Sequence, residues 1–192
     1  VALPYAPVTS ALEPLLRGLD EREASGFGGV LAHLRGTAPP ETDAMAAGFT
    51  ARTSTERSRL FDGATELLLR AASRRPTLLT LDDLHWADAA SLDLLAHVVV
   101  ALSARCESEA VPLLIVCAHR TLVADDPAAA TLARVRREDV AVEMHLGGLD
   151  ESAIADMLRA LGNDRATGAL LRQIADLTLG NPLLIEEGLH QP

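Results

Sequence analysis

Lysine is absent from all 192 residues, so every one of the 17 basic side chains is arginine. A phosphate-binding loop of the form G-x-x-x-x-G-K-[ST] needs that lysine beside its backbone donors. The one glycine-rich candidate, "SGFGGVLAHLRG", also lacks the spacing and the closing Ser/Thr. Long apolar runs are missing as well. Leu113–Ala118 and Ala96–Leu102 are far short of the roughly 20 residues of a membrane span. No basic, apolar, small-residue leader opens the chain, so nothing in it points to export, and a cytoplasmic setting without membrane contact is expected. The two cysteines, Cys106 and Cys117, have no CxxC spacing and read as ordinary thiols of a reducing compartment. Positive charge is outweighed: the net charge of -10 repels a phosphate backbone, which argues against direct nucleic-acid binding. No internal repeat or low-complexity tract occurs. The first residue is Val1 and not Met, which points to a piece of a longer protein.

What is present is a folding chain, with 48% hydrophobic residues and length for one substantial core. The opening "VALPYAPVTSALEPLLRGL" reads as a strand remnant, a turn and a short helix with Leu12, Leu15, Leu16 and Leu19 on one side. The glycines and Pro39-Pro40 of the following stretch predict short helices and a surface loop. Thr53 and Glu56 have capping-box spacing ahead of a helix whose apolar face is Leu60, Phe61, Ala64, Leu67, Leu68 and Ala71, ended by Pro76. Strands are predicted at Leu78–Asp82, Pro112–Ala118 and Val140–Leu146, the first two apolar enough to be covered on both faces. Helices at Ala89–Ala104 and Pro127–Val135 separate them, so the order is that of a doubly wound parallel α/β sheet. Beyond "LGGLDES", Ile154, Met157, Leu158 and Leu161, then Leu170, Leu171, Ile174 and Ala175, mark two amphipathic helices, and a third begins near Pro182. The expected division is an α/β core over 1–146 and a helical segment over 147–192.

The chemistry concentrates in "LLTLDDLHWADAASLDLL", Leu78 to Leu95. Ligands of a parallel sheet sit beyond the carboxyl ends of its strands, where Asp82 and Asp83 fall. Adjacent residues of an extended segment point apart. One carboxylate can therefore hold a hydrated Mg²⁺ while the other faces an attacking water. Two solvated carboxylates at a strand end are the plainer reading of the pair alone.

This stretch resembles the Walker B segment of AAA-like, STAND-type P-loop NTPase modules in large LuxR-type ATP-binding regulators, related bacterial activators and multidomain adenylate cyclases. "VPLLIVCAHR" is similar to the next strand and its sensor, which implies a γ-phosphate-sensing role for Arg120. Where the family more often carries a small or hydroxyl residue and an aromatic, this chain has Ala118 and His119. "MHLGGLDESAIADMLRALG" resembles the entry to a helical lid, and "LTLGNPLLIEEGL" its Gly-x-Pro turn, which implies that Pro182 packs near adenine. Asp82 then takes the metal and Asp83 the water. The resemblance implies a partial P-loop core lacking its first strand, and a nucleotide-binding regulatory switch. ATP and Mg²⁺ are its cofactors once a phosphate loop is supplied, and this chain alone is expected to be incompetent and marginally folded. Its partners are the other domains of a parent regulator, or a second copy.

Trp86 reads as a packed loop anchor, Asp88 as an N-cap, and Arg134, Arg136 and Arg137 as a solvated basic face in preference to an arginine finger. Two other functions compete: a non-catalytic partner-binding scaffold of the same fold, and, more remotely, a metal-dependent hydrolase. The hydrolase would use Asp82, Asp83, His85, Asp88, His119 and His145.

Overall fold

The computed structural model describes residues 5–35, 37, 49–123, 125–163 and 167–190. They divide into two compact units, Val1–Val142 and Glu143–Pro192.

In the first unit, α1 (Ala6–Leu16) buries Val8 and Leu12, and Leu15, Leu16 and Leu19 pack at the edge of the same core. The strand expected at the very start of the chain lies outside the described residues. Next comes α2 (Glu21–Leu34), a single helix where short pieces and a loop were expected. Asp20 accepts the Glu23 N–H at 2.9 Å to start it. Leu31 and Leu34 are buried, and Phe27 and Val30 pack beside them. That packing outweighs the roughly 1 kcal/mol that each interior glycine costs a helix. The predicted Pro39-Pro40 loop lies outside the described residues.

α3 (Phe49–Arg74) starts before Thr53, so the capping-box start is corrected: nothing between Phe49 and Thr53 breaks a helix, and the turns run through. Its buried face is the predicted one, from Leu60 to Ala71. Arg74 ends it, bonded to Glu23 of α2 and to Asp20 just before that helix.

Two strands follow, β1 (Thr77–Leu81) and β2 (Leu113–Cys117), joined through α4 (Ala89–Cys106). They pair in parallel, from Thr77 opposite Leu113 to Leu81 opposite Cys117. Leu79 and Leu81 face α1, α3 and α4 in the core. The other face is bare, with Leu78 and Leu114 both about 60% exposed. Coverage on both faces is thus corrected, since no described element lies over Leu78 and Leu114. α4 is long and apolar enough to cross a membrane by length and composition, yet Leu92, Leu94, Leu95 and Val98 are buried in this unit's core. α5 (Pro127–Val135) packs on α4 and closes the unit.

The third predicted strand does not form. Residues 140–146 have no ladder partner among the described residues, and Val142, Met144 and Leu146 are at least 79% exposed. Alternation alone makes a strand only where an edge is available to bond it.

The second unit holds α6 (Glu151–Ala160), α7 (Gly168–Thr178) and α8 (Pro182–His190) around buried Ile154, Leu158 and Ile185. The Leu149 N–H bonds the Gly180 carbonyl at 2.8 Å. Gly180, at φ 71, lies so close to that strand of chain that a Cβ would meet Leu149 O at 2.3 Å.

Candidate functional site

At the carboxyl end of β1 the chain turns sharply. Asp83 sits in the left-handed region at φ 51 and ψ 41, followed by a 3-10 turn over Leu84–Trp86. Asp is among the residues that tolerate this conformation best. The turn is tied to β2: Ala118 N–H donates to Leu81 O, and Leu84 N–H to Ala118 O, both at 2.9 Å. The extended backbone expected across the aspartate pair is therefore interrupted at Asp83. One oxygen of Asp82 accepts the Asp83 N–H at 2.9 Å, and the other has no partner among the described residues. The Asp83 carboxylate is exposed, 3.9 Å from His85 Nδ1 and beyond hydrogen-bonding distance. His85 Nδ1 is buried and has no hydrogen-bond partner among the described residues.

Both carboxylates line a cleft of about 240 Å³, with Thr80, Trp86, Ser91 and Val8 among its walls. Thr80 was missed by the sequence reading, although it lies two residues before Asp82 and so on the same face of β1. Trp86 is not a packed anchor: it is 74% exposed. Its ring lies 5.1 Å from that of His85, and the Arg120 guanidinium sits over it at 5.3 Å. Arg120 therefore reaches the cleft rim through a cation–π contact. Among the described residues no ion pair joins it to Asp82 or Asp83.

Asp88 caps α4, as its position predicted. Its carboxylate accepts Ser91 N–H at 3.0 Å, the Ser91 hydroxyl at 2.6 Å and Tyr5 N–H at 3.3 Å. Burial pushes its pKa up, but the Ser91, Tyr5 and Ala90 hydrogen bonds outweigh that and hold it below the ordinary carboxylate value. On β2, burial alone pushes the Cys117 thiol up to about 11, so it stays protonated near neutral pH, while Cys106 is exposed.

Within the first unit the structure does not gather the metal-hydrolase residues. Asp88 faces the α4 N-terminus, and His119 Nδ1 contacts the Arg120 carbonyl at 2.7 Å. No group of three or more His, Cys, Asp or Glu side chains is placed to hold a metal ion among the described residues. Pro182 is the first residue of α8, in the second unit, and Asn181 Oδ1 caps that helix by accepting Leu183 N–H at 3.0 Å. Arg134 lies in the last turn of α5 and Arg136 is its C-cap, while Arg137 Nε donates to Ala133 O at 3.1 Å.

Hydrated Mg²⁺ fits the aspartate pair. It takes one or two carboxylates and completes its shell with water and phosphate oxygens, so it needs no larger cluster. ATP fits only in part. The cleft is smaller than the roughly 300–1,000 Å³ of ligand pockets, and among the described residues no basic side chain lines it. It has room for a hydrated cation and a phosphate group.

Residues 1–116 match the family described as AAA ATPase domain, which spans β1, the Asp82–Trp86 turn, α4 and most of β2. No curated protein and no solved structure matches the chain.

Proposed function

The chain belongs to the AAA ATPase domain family, and from that premise we propose that it is the Walker B half of a nucleotide-dependent regulatory switch, of the kind found in large LuxR-type regulators. The observation that carries this is the exposed Asp82–Asp83 pair at the carboxyl end of a parallel strand, opening on a cleft and, among the described residues, unpaired with any arginine. Magnesium supplies charge neutralisation for the phosphates when bound. Asp82, with one oxygen unpartnered among the described residues, is assigned to hold it. Asp83, turned outward by its left-handed backbone, orients and deprotonates the attacking water. Arg120 meets the γ-phosphate. Phosphate binding requires a lysine-bearing loop that these residues do not contain, so this chain alone is proposed to bind ATP weakly and not to turn it over. The output is a change in which surfaces are offered to the other domains of a regulator.

Calorimetry with Mg-ATP, run on this chain and on the product of the whole gene, tests the reading. Binding is expected for the whole product. Asp82→Asn is expected to weaken its magnesium dependence, and Asp83→Asn to keep binding while slowing hydrolysis by about 100-fold or more. A whole product that binds no Mg-ATP sinks the proposal. That result would leave a non-catalytic partner-binding module, the second reading, which absence of a lysine-bearing phosphate loop from the whole gene would favour.

A further inference from the structure

Arg120 has two exposed carboxylates at the neighbouring strand end, yet its guanidinium lies over the Trp86 ring at 5.3 Å and pairs with neither. Coulomb attraction alone would pull a flexible arginine onto Asp82 or Asp83. Trp86 is set by the 3-10 turn, its N–H bonded to Asp83 O at 2.8 Å, and His85 lies against its ring. The backbone is thus held, and the exposed indole presents a flat face at the cleft rim. An exposed cation–π contact favours the stacked position by about two- to fivefold.

We propose that Trp86 is a positioning residue for Arg120: the indole holds the guanidinium at the edge of the cleft and off the two carboxylates, so that Asp82 and Asp83 stay free for a cation. This rests on the nucleotide reading only for what Arg120 then meets, an anionic phosphate. A phosphate oxygen offers charge-assisted hydrogen bonds stronger than an exposed ring contact, so the guanidinium leaves the ring when the anion arrives.

Trp86 is the one tryptophan, so its emission reports this contact without assignment. Acrylamide quenching of the ligand-free chain is compared with Arg120→Gln and Arg120→Lys. The Gln variant is expected to show a higher quenching constant and a shifted emission maximum. The Lys variant, still cationic, is expected to stay close to the parent. Arg120 is exposed, so both variants are expected to fold, and circular dichroism verifies it. Identical quenching in the parent and Arg120→Gln overturns the proposal, as does a Lys variant that behaves like Gln. Mg-ATP calorimetry on the whole gene product then judges the nucleotide reading separately, since the quenching comparison contains no ligand.

Discussion

Asp88 joins two helix starts. Its carboxylate takes the Ser91 donors of α4 and the Tyr5 N–H just before α1. Replacing it by Ala is expected to cost about 1–2 kcal/mol, the upper range for a lost N-cap, because the Tyr5 donor loses its partner too. Asp88→Asn keeps an acceptor and is expected to cost less. The folded pKa lies below the 3.8 of the free group, so the charged form is the one the fold stabilises. That contribution is complete above the unfolded value and disappears as pH falls through the lower folded one. The urea midpoints of parent and Asp88→Asn are therefore expected to differ near pH 7 and to converge near pH 2. A gap independent of pH would show that the charge contributes nothing. This cap was legible because it is local, with donor and acceptor three residues apart. The Trp86–Arg120 stack was not, because nothing in either segment says which strand end the other will meet.

Among elements, the contact of α2 with α3 depends on a residue whose role the sequence did not reveal. A Cβ on Gly63 would lie 2.6 Å from Val30 Cγ2, so the two helices meet where one has no side chain. Alanine is the better helix former by about 1 kcal/mol. Gly63→Ala is nonetheless expected to destabilise by about 1–2 kcal/mol through overpacking, in chemical denaturation. Combined with Val30→Ala, the loss is expected to be smaller than the sum of the single changes. A Gly63→Ala chain more stable than the parent would overturn this account. Local pattern located α4 and α5 well, since the apolar run of one and the Asp-Pro start of the other lie within the helices' own segments. It failed on α2, where three glycines suggested breaks and the packing of Phe27, Val30 and Leu31 prevailed. It failed again on 140–146, where alternation was correct for a strand and no partner edge is present among the described residues.

The whole molecule is two units, each with its own buried cluster, and the segment around their division carries exposed Val142, Met144 and Leu146 without helix or ladder. Thermolysin, which cuts before apolar residues, is expected to cleave within 140–149 before it cleaves within any helix. Mass spectrometry of the first fragments checks this, and initial cuts inside α3 or α4 would contradict it. At this scale the acidic charge, the missing lysine, the strand–helix–strand order and the aspartate pair belong to the sequence alone. Each is a property of composition or of neighbours along the chain, and the AAA ATPase family match rests on the same residues. Tertiary structure alone decided that one sheet face stays bare, that the third strand goes unformed, and that Arg120 rests on Trp86 and away from the carboxylates. Each of these depends on which distant groups are present to pack or to bond, and no local pattern records that.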